Sequence, residues 1–73
     1  MPPRAATAYT IYTHDGWGRT GVGSFATLSE AREAFNALCQ DTWYRQDGGI
    51  RGLELVADGP AGHPERLDWF AFR

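Results

Sequence analysis

Thr27-Leu28-Ser29-Glu30-Ala31-Arg32-Glu33-Ala34-Phe35-Asn36-Ala37-Leu38-Cys39-Gln40-Asp41-Thr42-Trp43-Tyr44-Arg45 is the stretch on which the fold turns. It opens with a capping box. The Thr27 hydroxyl is placed to accept from the Glu30 N–H, and the Glu30 carboxylate to reach back toward the Thr27 N–H. Glu30 and Glu33 set negative charge at the end of the helix dipole that favours it. Leu28, Ala31, Ala34, Phe35, Leu38 and Thr42 then recur at spacings of three and four and share a face. Arg32, Glu33, Asn36 and Gln40 fall opposite. Asp47-Gly48-Gly49 is the expected stop, because glycine takes the left-handed turn that closes a helix. One helix over Thr27–Arg45 is therefore predicted, and the remaining chain must supply a surface for its apolar stripe.

On the N-terminal side, Ala8 to His14 is rich in β-branched and aromatic residues and reads as a strand. Tyr9, Ile11 and Thr13 point one way, and Thr10, Tyr12 and His14 the other. Asp15-Gly16-Trp17-Gly18 is a turn, and Arg19 to Phe25 returns as a second strand. After the helix, Ile50 to Ala57 reads as a third strand, with Leu53, Leu55 and Ala57 opposite Glu54 and Val56. Asp58-Gly59-Pro60-Ala61-Gly62-His63-Pro64 is a loop, and Arg66 to Phe72 a fourth strand. The order is ββαββ, an α+β fold with a four-stranded antiparallel sheet and a single helix packed on one face.

One helix covers one face of such a sheet. The fourth strand is apolar on both sides, so some aromatic surface is expected outside. Leu67, Trp69 and Ala71 are assigned inward and Phe70 and Phe72 outward, although the alternation alone does not exclude the reverse. An exposed aromatic patch marks a contact surface.

The 73 residues form one domain, with residues 1–7 expected as a frayed arm. A chain of this size buries about 60% of its unfolded surface, which leaves little room for a large cleft or a buried cofactor. The apolar share of 42% is too high for disorder. Cys39 is the sole cysteine, so no internal disulfide forms and a reducing compartment suits the chain. No apolar run approaches the roughly 20 residues that span a bilayer, and the first residues lack a signal-peptide core. A cytoplasmic protein is expected. The net charge of −2, with all seven basic residues arginine, lacks the basic excess of a non-specific nucleic-acid binder.

Gly16-Trp17-Gly18-Arg19-Thr20-Gly21 has the letters of a dinucleotide loop, but that loop must join a strand directly to a helix. Here a strand intervenes, and the stretch reads as a glycine-rich hairpin with Trp17 at its tip. His14, His63 and Cys39 lack the close pairing of a zinc site, and no nucleophile, base and orienting group recur together. No enzyme, metal or cofactor is expected. Trp43 and Tyr44 stand about 100° apart on the helix, so Tyr44 is placed toward solvent. Asp41, Asp47, Glu54 and Asp58 suggest an acidic rim.

The hairpin followed by Ser24-Phe25-Ala26-Thr27-Leu28-Ser29-Glu30-Ala31, which opens a single helix before two further strands, resembles the small α+β proteins carried by phages and other mobile elements. Anti-CRISPR proteins are among them. The resemblance implies a compact inhibitor that occupies a surface of a host nucleic-acid-processing complex. On it, the expected partner-binding residues are Tyr12, Trp17, Trp43, Tyr44, Phe70 and Phe72, with Asp41, Asp47 and Glu54 for charge. Two alternatives stand beside it. One is a nucleic-acid-binding sheet with stacking aromatics and phosphate contacts from Arg19, Arg51, Arg66 and Arg73. The other is a homodimer joined through its aromatic face.

Overall fold

The computed structural model describes residues 8–46, 48–59 and 64–72. The expected N-terminal arm, Asp47, His63 and Arg73 lie outside them. Strands β1 (Ala8–Asp15) and β2 (Gly18–Phe25) lead into helices α1 (Leu28–Cys39) and α2 (Thr42–Gln46), followed by β3 (Ile50–Asp58) and β4 (Pro64–Ala71). The strands form one four-stranded antiparallel sheet in the order β2-β1-β3-β4. This is the α+β layer pair expected from the pattern. The two hairpins meet along β1 and β3, the strands richest in β-branched and aliphatic residues.

Two helices stand where one was expected. The Thr27 hydroxyl accepts from the Glu30 N–H at 3.2 Å, so the cap is as read; the Glu30 carboxylate accepts from that same hydroxyl at 3.0 Å rather than from the Thr27 N–H expected. The end comes well before the glycines. The Gln40 N–H bonds the Ala37 carbonyl and the Asp41 N–H the Leu38 carbonyl, a tightening that closes α1. The Asp41 carboxylate then accepts from the Trp43 N–H at 2.8 Å and the Tyr44 N–H at 3.4 Å, which restarts the chain as α2. Asp41 is thus a helix cap. Arg45 folds back to donate to the Cys39 carbonyl at 3.2 Å and satisfies the end of α1.

Ile11, Leu53 and Leu55 from the sheet and Ala31, Phe35 and Cys39 from α1 form the core. Burying each large aliphatic side chain contributes about 1.5–3 kcal/mol. Tyr9, Phe25, Leu38, Leu67, Phe70 and Phe72 close its margins. Burial pushes the Cys39 thiol up, the Asp68 charge adds to that, and Arg45 pulls it down. The net rise keeps the thiol protonated and unreactive.

Three bulges shape the sheet. Residue pairing skips Val22 in β2, Arg51 in β3 and Leu67 in β4. Each extra residue reverses which side chains face which way beyond it. The reversal at Leu67 corrects the assignment of β4. Leu67 packs against the core as expected, but Phe70, paired with Leu53, and Phe72 turn to the helix side. Trp69, paired with Glu54, turns to the opposite face and is 39% exposed. Phe70 and Phe72 are therefore core-margin residues rather than an outward patch.

Candidate functional site

The face of the sheet away from α1 carries a cluster built from all four strands. Cross-strand pairing sets Tyr12, Glu54 and Trp69 in one row. Arg19, His14 and Gly52 occupy the next row on one side, and Ser24, Thr10, Val56 and Arg66 the next on the other. The bulges make this possible. Arg66 and Trp69 are three apart and would lie on opposite faces of a regular strand. The extra residue Leu67 puts both on the open face. The extra residue Val22 has the converse effect in β2: Arg19 and Phe25, six apart and on one face of a regular strand, are split, with Phe25 against the core and Arg19 on the open face.

Glu54 is the centre of the cluster and is only 6% exposed. Its Oε1 accepts from His14 Nε2 at 2.8 Å and Arg19 Nη1 at 3.3 Å, and its Oε2 from Arg66 Nε at 2.8 Å. Burial pushes the carboxyl up. The hydrogen bonds from Arg66 and His14, with their charges, more than offset that and hold it below its ordinary value of 4.5. An ionised carboxylate only accepts, so Nε2 is the donating nitrogen of His14. The carboxylate is thus held by His14 of β1, by Arg66 of β4 and by Arg19 reaching over from β2, and these directional contacts fix its position.

The rings are locked to these charges. The Arg19 guanidinium lies 4.3 Å from the Tyr12 ring centre and that of Arg66 lies 5.0 Å from Trp69. His14 meets Trp69 edge-on at 4.9 Å. Each cation–ring contact of this kind contributes about 0.5–1 kcal/mol at an exposed site. Trp69 also lies across Gly52. A Cβ there would come 2.5 Å from the indole and 2.7 Å from the Phe70 carbonyl, so only glycine fits. At the other end of the face, Thr10 donates to Asp58 at 2.9 Å and shares a hydrogen bond with Ser24 at 3.1 Å. Val56 is 2% exposed although no described helix covers it.

The sequence-predicted residues fall into three places. Tyr12 and Glu54 are in this cluster. Trp17 stands at the β1–β2 tip, 98% exposed, with its N–H held by Asp15 at 2.8 Å and Gly18 in the left-handed region. Asp41, Trp43, Tyr44, Phe70 and Phe72 gather on the other face. Tyr44 stacks on Phe72 with ring centres 6.4 Å apart, and Trp43 is left 61% exposed. The expected roles of Trp43 and Tyr44 are thus exchanged. Glu54 is buried and triply paired, so it is no part of an acidic rim.

His14 and Trp69 were missing from the expected partner-binding set, and Arg19 and Arg66 entered only as phosphate contacts. The signal was Glu54 itself, one carboxylate between Leu53 and Leu55 in a strand otherwise fit for a core. Such a residue demands cations beside it. Among the described residues, no three or more His, Cys, Asp or Glu side chains are arranged to hold a metal ion, and no helix is long and apolar enough to cross a membrane. No family model, curated protein or solved structure matches the chain.

Proposed function

We propose that this chain is a non-enzymatic protein-binding module that docks through the open face of its sheet and the Trp17 tip. The observation that carries this is the fixed set of Trp69, Tyr12, Arg19 and Arg66 around buried Glu54. Trp, Tyr and Arg are the residue types that dominate binding hot spots. Here their rotamers are held before any partner arrives, which lowers the ordering cost of association. Four strands of eight or nine residues present about 19 Å by about 26 Å, or on the order of 500 Å². A stable interface takes about 800 Å² per partner. The Trp17 hairpin tip is the natural extension.

An open antiparallel sheet with aromatics is also a format for single-stranded nucleic acid. Two features weigh against it here. Both guanidiniums are paired with Glu54, and both rings already carry a guanidinium where a base would stack. The resemblance of the sequence pattern to small phage and mobile-element proteins, anti-CRISPR proteins among them, makes a host Cas-type complex the first partner class to test. Inhibition follows by occupying its surface.

The experiment titrates the chain into Cas-type effectors and measures target binding and cleavage, alongside Trp69→Ala and Arg19→Glu. Inhibition by the parent chain, lost in both variants, supports the proposal. Absence of inhibition across effector types removes that partner class. A gel shift that is steep in salt moves the function to nucleic acid.

A further inference from the structure

The two edges of the sheet are built differently. The β4 edge carries Pro64, Glu65, Arg66 and Asp68, and proline and charge are what blunt a strand against pairing. The β2 edge reads GRTGVGSF, with no proline and Arg19 as its one charge. Among the described residues nothing pairs with its outer side. Above it lies one flank of α1. Arg32 on the opposite flank reaches Asp68 of β4 at 3.3 Å, which turns Glu30, Glu33, Ala34 and Ala37 toward β2. With Phe25 they line a groove of about 370 Å³.

We propose that the β2 edge takes up an extended peptide segment of another protein, in which apolar and basic residues alternate on one face. The peptide backbone continues the sheet ladder beside β2. Alternate side chains then point under α1. An apolar one meets Phe25, Ala34 and Ala37, and a basic one meets the carboxylates of Glu30 and Glu33. A second copy of this chain is the wrong occupant on charge. Two β2 strands laid antiparallel would bring the Glu30 and Glu33 flanks of both copies together. Among the described residues neither copy supplies a cation to them from β2, because Arg19, the one charge of that strand, lies on the open face. This surface is separate from the open-face site and does not depend on it.

The test uses a capped octapeptide, Thr-Val-Thr-Arg-Thr-Val-Thr-Arg, and the full chain. Binding is followed by amide hydrogen exchange and by titration. Saturable binding is expected, with slowed exchange at alternate β2 amides. Replacing the peptide arginines by glutamate, or introducing Glu33→Arg, weakens binding about five-fold or more, the upper range of a single exposed ion pair. Glu33 is exposed on α1 and outside the cap, and an unchanged melting temperature verifies that the variant folds. Three results overturn the proposal: no slowed β2 exchange at millimolar peptide; equal binding by a peptide N-methylated along its pairing edge; or a dimer by light scattering whose β2 amides are protected without peptide.

Discussion

The two faces of this sheet are stabilised in opposite ways. Toward α1, Ile11, Leu53 and Leu55 are fully buried among Ala31, Phe35 and Cys39, and the contacts are apolar and non-directional. Away from it, Glu54 and Val56 are buried almost as deeply with no described helix above them. Among the described residues, Arg19, Arg66 and His14 bond Glu54, and Tyr12 and Trp69 pack on those cations and the imidazole across the strands. Strand β3 serves both faces, with eight of its nine residues buried or half-buried. A small chain with one helical layer can thus close its second face with charged and aromatic side chains. That closure uses directional contacts, and directional contacts hold side chains in fixed positions. The apolar face gives stability, and the polar face gives a defined surface.

The sharpest test of the covered face is Leu55→Ala, expected to lose about 2–5 kcal/mol in urea denaturation. For a domain whose total is on the order of 5–10 kcal/mol, that leaves a large unfolded fraction.

On the open face, Glu54→Gln is expected to lose about 1–3 kcal/mol. The value stays below the 3–5 kcal/mol typical of a broken buried pair, because Arg19 and Arg66 are half exposed and regain water. A loss equal to that of Leu55→Ala would erase the distinction between the faces.

Acid separates the faces further. The folded-state carboxyl of Glu54 lies below its ordinary 4.5. Its contribution is complete above 4.5 and falls away as pH drops through the lower folded-state value, below which both states carry the proton. Melting temperature measured from pH 6 to pH 3 should show this loss in the parent chain and a shallower decline in Glu54→Gln.

Asp41→Ala removes the cap of α2 and should destabilise by about 1 kcal/mol, with a change in the near-ultraviolet signal of Trp43 and Tyr44. Smallest of all, Trp17→Ala should leave stability within about 0.5 kcal/mol, since the side chain touches neither face. The same change should weaken partner binding about ten-fold or more if the tip is a hot spot; unchanged affinity would confine the contact to the sheet.

Local chemistry was readable from residue order. Thr27 and Glu30 cap α1, the strand segments lie where β-branched and aromatic residues cluster, and the alternation in β1 and β3 assigns Ile11 and Leu55 to one side and Tyr12 and Glu54 to the other. These depend on neighbours within a few positions, so periodicity reports them. The orientation of β4 and the pairing of Glu54 were not readable that way. An extra residue at Leu67 or Val22 has no signature in an alternating pattern, yet it reverses the side chains beyond it. The bulge exists because β4 must meet β3 in a register that buries Phe70 beside Leu53 and lays Trp69 across Gly52. That requirement comes from strands far apart in the chain, and it arises only when they are brought together in the sheet.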